Sequence, residues 1–321
     1  PSYARQPTNQ TVTVNVDVAF AVAADGTLPI NFRWRRAGQT VNSINLPNGV
    51  VSSTPSNSIL TITGVQLTNA AAYSVVPTNI AGQAGVSSNA NLVVVSPPPD
   101  QMAPPGTNLT LRAVVGLPGT YTNRFLWLFN GSPLLAGTNT STSTLLIFTN
   151  DLALPNFSLA QSGVYTFLLT NSLGLSAAFT AMAQVDSDGD GLPDDWEQAH
   201  GFNPLDPSDG AADADGDGMS NGDEYRAGTD YLDPNSVLRL DIAATAPTTI
   251  WFTAVSNRSY TVQYSDGLNP VLWRRLVDVP AQSSTRIEVL TDPNPPASRF
   301  YRVITPRQPC DPSAPRAGAI A

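Results

Sequence analysis

Asn69-Ala70-Ala71-Ala72-Tyr73-Ser74-Val75 decides the fold of this chain, because the chain spells the same pattern twice. Its counterpart, Gln161-Ser162-Gly163-Val164-Tyr165-Thr166-Phe167, sets a tyrosine 92 residues further on, and Thr78-Asn79 and Thr170-Asn171 keep that spacing. Upstream, Trp34 and Gly38 are answered by Trp127 and Gly131, each 93 residues later. Markers that agree to within one residue over so long a period identify a tandem repeat. Both copies consist of short runs in which apolar and polar residues alternate, separated by turn residues. Thr11–Val16 is one such run, Val18, Phe20 and Val22 line the next, and Asp25-Gly26 turns the chain. Phe32-Arg33-Trp34 and Ser58–Ile62 follow in the first copy; Leu109, Leu111 and Ala113, Phe125-Leu126-Trp127 and Leu145-Leu146-Ile147 fill the second. Alternation with period two places successive side chains on opposite faces of a strand, so residues 1–185 read as two sets of half-buried strands.

These markers resemble the immunoglobulin-like sandwich. Trp34 and Trp127 stand where that fold buries a tryptophan on its third strand, and Tyr73 and Tyr165 match its tyrosine corner, two residues before the second cysteine site. The resemblance implies domains over residues 1–96 and 97–185, with Pro97-Pro98-Pro99 a stiff boundary. It also implies a departure: Val22 and Val75 in the first domain, and Ala113 and Phe167 in the second, occupy the positions of the usual cystine. Packing between the sheets then rests on burial, at about 1.5–3 kcal/mol for each large apolar side chain.

The last strand of the second copy, Ala177–Val185, runs directly into Asp186-Ser187-Asp188-Gly189-Asp190-Gly191-Leu192-Pro193-Asp194-Asp195-Trp196-Glu197. That spacing fits the twelve-residue calcium loop. Asp186, Asp188 and Asp190 offer carboxylates and Leu192 its carbonyl. Asp194 binds directly or through water, and Glu197 closes the site with both oxygens. Gly191 holds the sixth position, where the turn tolerates no Cβ. Asp213, Asp215, Asp217, Met219, Asn221 and Glu224 repeat the offsets around Gly218. Residues 186–233 hold 15 acids and one arginine, whereas the flanking segments carry charges of +2 and +3 within a chain total of −9. All the acidity therefore belongs to this stretch. Without cations, so many carboxylates would repel one another.

A strand, not a helix, enters the first loop, and Pro193 lacks the N–H with which paired EF-hand loops bond each other. The stretch from Asp186 through Asp209 and on to Asp230 is more similar to bacterial thrombospondin type-3 repeats, with the dockerin loop as kin. That resemblance implies structural Ca2+ outside the cell, two ions at least. Asp206, Asp209, Asp230 and Asp233 are spare acids that either build a third site or complete the two. Helices of a turn or two are expected over Asp194–His200, stopped by Gly201, and Asn221–Ala227, stopped by Gly228, around a small core of Trp196, Phe202, Met219 and Tyr225.

Residues 236–306 read as a third β-sandwich, fibronectin-like, with strands at Val237–Ile242, Thr249–Val255, Ser259–Tyr264, Leu272–Val277, Thr285–Leu290 and Arg299–Ile304. Tyr260–Ser265 and Arg299–Val303 resemble a small C-terminal β-domain of secreted proteins from Verrucomicrobia-like bacteria. Trp273-Arg274-Arg275 with Arg299 and Arg302 offers a cationic aromatic surface for polysaccharide or anionic lipid, or simply solvent-facing arginines beside core aromatics. Residues 307–321 form a Pro- and Ala-rich tail.

The fold class expected is therefore all-β, with tandem sandwiches joined by a calcium-loop module over 186–235 containing short helices. Composition narrows the chemistry. The chain has no lysine, one histidine (His200) and one cysteine (Cys310), which excludes lysine-based covalent chemistry, a Cys/His zinc cluster and an internal disulfide. His200 is placed to end a helix before a glycine cap. No apolar run reaches the ~20 residues of a membrane-spanning helix, and nothing suggests nucleic acid. The expectation is a non-enzymatic extracellular or cell-surface structural protein, rigidified by calcium and assembling with copies of itself into a filament or matrix. In that scheme the terminal segments Pro1–Gln10 and Pro306–Ala321 dock on the next subunit. The alternative is an adhesin or glycan-binding region of a secreted protein.

Overall fold

The computed structural model describes residues 1–305 apart from 120–121, 141–144, 173, 175, 244–246, 257, 270, 280–281, 283, 293–294 and 297. The chain forms two units: Pro1–Gln101 with Gly106–Gln184, and Met102–Pro105 with the chain from Val185 onward.

In the first unit, strand Val18–Asp25 shows the expected alternation, burying Val18, Phe20, Val22 and Ala24 and turning the residues between them outward. It pairs antiparallel with Ser2–Arg5 and with Asn57–Ile62, and Gly49–Ser53 completes that four-stranded sheet. Asn31–Arg36, Ala71–Asn79 and Ala90–Ser96 form the second sheet, with Gln10–Thr13 lying parallel to the last of these. Phe20, Val22, Leu60 and Ile62 from one sheet meet Trp34, Tyr73, Val75 and Leu92 from the other in a single core. Within it the Trp34 indole donates to Ser58 Oγ at 3.0 Å, and the Tyr73 hydroxyl donates to Asn69 O at 2.8 Å. Each aromatic thus buries its bulk while its one polar atom stays bonded. Val22 and Val75 are fully buried where the cystine would stand.

The second copy solves the same problem with different residues. Trp127 donates to Asn150 Oδ1 at 2.6 Å, and Tyr165 to Gln161 O at 2.7 Å, while Ala113 and Phe167 are fully buried. Thr122–Phe129 pairs with Ser132–Thr140 and with Gly163–Asn171, which pairs in turn with Ser176–Val185. Leu109–Pro118 and Leu145–Leu154 form a long antiparallel ladder.

The two copies share a sheet. Ala90–Ser96 begins against Ala71–Tyr73 of its own domain and ends with Val94, Val95 and Ser96 paired to Gly116, Val115 and Val114 of the next. Gly116 makes this approach possible, since a Cβ there would lie 2.5 Å from Leu67 O and 3.1 Å from Ala70 Cβ. The triproline boundary is thus bridged by backbone hydrogen bonding. Pro1–Gln10 is also anchored in its own domain: the Tyr3 hydroxyl lies 2.6 Å from Val75 O, and Gln6 Oε1 accepts from Ser88 N at 2.7 Å.

The second unit contains the acidic stretch and a sandwich of two three-stranded sheets. One holds Asp241–Ala243, Thr248–Ala254 and Arg286–Asp292; the other holds Arg274–Val279, Tyr260–Ser265 and Phe300–Ile304. Phe252, Ala254, Tyr260, Val262 and Val279 make its core. The strand expected over Val237–Ile242 starts only at Asp241, while Leu238 and Leu240 pack on the core ahead of it without joining a ladder. Two arginines of the expected cationic surface are neutralised. Arg299 bonds Asp266 at 2.6 Å and Asp292 at 2.8 Å, and Arg275 bonds Asp278 at 3.1 Å. Arg302 lies over the Trp273 ring at 4.4 Å. Cys310 and the tail over 307–321 lie outside the described residues. No described helix is long and apolar enough to cross a membrane.

Candidate metal centre

Each acidic loop is shaped by its own aspartates. Asp186 accepts from Gly189 N at 2.7 Å through Oδ1 and from Gly191 N at 3.1 Å through Oδ2. Asp188 Oδ1 accepts from Asp190 N, and Asp190 Oδ1 from Leu192 N at 2.8 Å. Such side-chain-to-backbone bonds replace a ladder and wind the chain tightly. The turn passes through Gly189 and Gly191 at φ of 82° and 93°, where a Cβ would be strained. The second loop repeats every bond. Asp213 accepts from Gly216 N and Gly218 N, Asp215 from Asp217 N, and Asp217 from Met219 N.

A short helix follows each loop. Helix α1 covers Asp194–His200 and α2 covers Asn221–Ala227, and each ends on a left-handed glycine, Gly201 or Gly228. Their first residues reach back to close the loops: Asp194 accepts from Ser187 N and Oγ, and Asn221 accepts from Ala214 N. The helices carry Glu197 and Glu224 to the loop interior, where both side chains are fully buried. His200 sits in the last turn as expected, with Nδ1 2.7 Å from Trp196 O and its ring stacked on Trp196 at 4.1 Å. The small core also takes in Tyr231, whose ring lies 5.4 Å from those of Trp196 and Phe202. Sequence spacing gave no signal for Tyr231, since its partners lie on the preceding repeat.

The module is seated on the C-terminal sandwich. Arg258 donates to Tyr225 O at 2.7 Å and lies over the Tyr225 ring, and the Tyr260 hydroxyl is 3.3 Å from Ala227 O. A Cβ at Gly228 would meet Val255 Cγ1 at 2.9 Å.

Carboxylate oxygens of Asp186, Asp188 and Asp190 lie within 4.8 Å of one another, as do those of Asp213, Asp215 and Asp217 and those of Asp190, Glu197 and Asp209. Several oxygens are buried and accept no hydrogen bond from the described residues: Asp188 Oδ2, Asp215 Oδ2, Asp217 Oδ2 and both oxygens of Glu197 and of Glu224. Arg226, the module's one arginine, pairs with Asp223 at 2.7 Å and so leaves these groups alone. Burial, reinforced by Asp188, Asp190, Asp209 and Asp194, pushes the Glu197 carboxyl up to about 8. Burial, reinforced by Asp215, Asp217 and Asp213, pushes Glu224 to about 7. Buried acceptors without donors are costly. A hard divalent cation removes that cost, and an all-oxygen donor set of this kind fits calcium. Of the residues expected at the site, the three aspartates of each loop converge and the two glutamates close over them. Asp194 and Asn221 are engaged in holding the loops shut. Leu192 and Met219 follow the turns as positions seven, and Asp209 joins from beyond the first loop.

Residues 1–94 match the Immunoglobulin I-set domain, and residues 186–207 and 213–234 match the Bacterial TSP3 repeat. Hemicentin-2 of Mus musculus is 28% identical over 137 residues, which are 42% of this chain and 3% of that protein. Among solved structures, the titin I-band fragment I67-I69 is similar at 20% identity, covering 57% of this chain and 64% of that one with a TM-score of 0.28. The tandem Ig repeats of Dlar match at 21% identity, covering 57% and 96% with a TM-score of 0.27. Two parts of the chain are thus similar to known families: residues 1–94 to the immunoglobulin I-set domain, and the acidic stretch to two copies of the bacterial TSP3 repeat.

Proposed function

We propose that this protein is a non-enzymatic extracellular structural or adhesion protein in which calcium sets the TSP3 module and, through it, the seating of the C-terminal sandwich. Asp186, Asp188, Asp190, the Leu192 carbonyl and Glu197 hold one ion, and Asp213, Asp215, Asp217, the Met219 carbonyl and Glu224 hold another, with Asp194 and Asn221 bracing the loops. One observation carries this: two loops 27 residues apart repeat the same turn bonds and both bury carboxylate oxygens that accept no hydrogen bond from the described residues, at the matching positions Asp188/Asp215 and Glu197/Glu224. Aromatic contacts alone give the module a small core, so bound metal adds much of its stability. The test is calcium titration of chelated full-length protein by calorimetry, with scattering profiles recorded in calcium and in EDTA. Binding of calcium with a change of profile is expected; absence of heat, or one profile in both conditions, would sink the idea.

Self-association into a filament is the finer reading of the structural role. Its support is the strand Gly49–Ser53, which lies at the edge of its sheet and exposes Val50 and Val51 (62% and 43%). Such an edge can accept a strand from another copy, and head-to-tail contacts do not close. Sedimentation in calcium tests it: a monodisperse monomer up to high concentration rules the filament out and leaves the adhesion role.

A further inference from the structure

The two repeats align in sequence at a step of 27, and the difference at position 209 bears on the metal. Asn203 corresponds to Asp230, Asp206 to Asp233 and Asp209 to Ser236. The turn after each helix is built alike: Asp209 N donates to Asp206 O at 3.3 Å, and Ser236 N to Asp233 O at 2.8 Å. The side chain at its end also does the same work. Asp209 Oδ2 accepts from Asn203 N at 3.2 Å, and Ser236 Oγ accepts from Asp230 N at 2.9 Å. A serine fully serves this turn. The aspartate brings a second oxygen that the turn does not need.

That oxygen, Asp209 Oδ1, is buried and has no hydrogen-bond partner among the described residues. It belongs to the group in which oxygens of Asp190, Glu197 and Asp209 lie within 4.8 Å of one another. The next residue makes the approach possible. Gly210 N donates to Asp190 Oδ2 at 2.7 Å, and a Cβ on Gly210 would lie 2.5 Å from that oxygen. Glu197, fully buried with both oxygens unpaired, faces the same point. Three converging carboxylates with no described cation among them call for a positive charge at their centre.

We propose that Asp209, which lies between the two segments matching the repeat model, is a further calcium ligand of the first loop, making the two loops unequal. The inference rests on the calcium-binding role proposed above. The first loop then assembles five ligand carboxylates (Asp186, Asp188, Asp190, Glu197, Asp209), with Asp194 bracing it through Ser187. The second has four (Asp213, Asp215, Asp217, Glu224), because Ser236 stands in the place of Asp209. Calcium affinity follows the number of charged ligands and the rigidity of the cage. The first loop therefore fills at lower calcium, and the module responds in two steps.

Calorimetric titration of the full chain with calcium chloride tests this, with Glu224→Ala used to isolate the first loop and Glu197→Ala the second. Asp209→Asn keeps an oxygen for the Asn203 cap but removes the charge. It is expected to weaken the tight step at least tenfold and to leave the weak step unchanged. Ser236→Asp, made in the second loop, is expected to tighten the weak step several-fold, and serves even where Asp209→Asn perturbs folding. Equal affinities in the intact chain, or an Asp209→Asn titration within twofold of it, would overturn the assignment. If the intact chain takes up no calcium at either loop, the functional reading itself fails, and the two failures are told apart.

Discussion

Gly201 and Gly228 end equivalent helices at nearly the same backbone angles, φ of 82° and 78°, yet their surroundings differ. Nothing lies within 4 Å of a Cβ placed on Gly201, whereas one on Gly228 meets Val255 Cγ1 at 2.9 Å, Val255 Cβ at 3.3 Å and Arg258 Nε at 3.4 Å. Gly201→Ala should therefore cost only the left-handed backbone penalty, about 1–2 kcal/mol. Gly228→Ala adds overpacking, typically 1–3 kcal/mol, and is expected to total about 2–5 kcal/mol. Val255 and Arg258 belong to the sandwich, so the extra loss is a loss of seating. Arg258 also donates to Tyr225 O, so a shift there removes a second contact. Denaturant melting in saturating calcium gives both stabilities. Limited proteolysis then shows whether the chain between Gly228 and Val255 becomes cleavable in the second variant alone. Equal losses in the two variants would show that the module and the sandwich do not bear on each other through this contact.

Further outcomes follow from the same geometry. Glu197 and Glu224 hold protons more tightly when folded than at the ordinary carboxyl value of 4.5. In the metal-free module the contribution of these two groups to stability should be fully present below pH 4.5 and be lost as pH rises through about 7 and about 8. Melting in EDTA at pH 5 and pH 8 checks the sign. Calcium binding at neutral pH should also release protons, seen as a dependence of the heat on the buffer's ionisation enthalpy. Gly116→Val places side-chain atoms against Leu67 O, so it should part the two immunoglobulin-like domains at a cost of about 1–3 kcal/mol and split one melting transition into two; a single unshifted transition would contradict the shared sheet. Reducing agent should leave the melting of residues 1–185 unchanged, because valine, alanine and phenylalanine fill the cystine positions; a redox-dependent shift in a circular-dichroism melt would refute that.

Features set by local spacing were legible in the chain. Alternation located the strands around Phe20 and Leu60, the 92- and 93-residue registers paired the tryptophans and tyrosines, and glycine placement ended both helices. The aspartates of the loops were legible for the same reason, because each loop's bonds run between residues two to five apart. What spacing could not show were pairings between distant segments. The ladder between Val94–Ser96 and Val114–Gly116 depends on how two domains meet. Tyr231 joins Trp196 only once one repeat folds over the other. Asp209 looked no different from Asp206, yet Asp206 turns its oxygen to Ser208 while Asp209 reaches Asp190 and Glu197. Arg299 read as a surface cation until Asp266 and Asp292 closed on it.

The bridging ladder at Val94–Ser96 also gives the chain hidden length. Its three pairs close a loop from Ser96 to Val114, of which Leu109–Val114 stay held to Leu145–Leu154 in a ladder of ten pairs, so only the chain ahead of Leu109 can be released. Tension applied across the two domains reaches the short ladder as a peeling load, which opens its rungs one after another. It should yield before either core, paying out roughly 3.3–3.6 Å for each freed residue and leaving both sandwiches folded. A single-molecule pulling trace would then show a small early extension at low force, reversible on relaxation, ahead of the two large unfolding steps. If the first event is already a full domain, the joint does not act as a mechanical fuse.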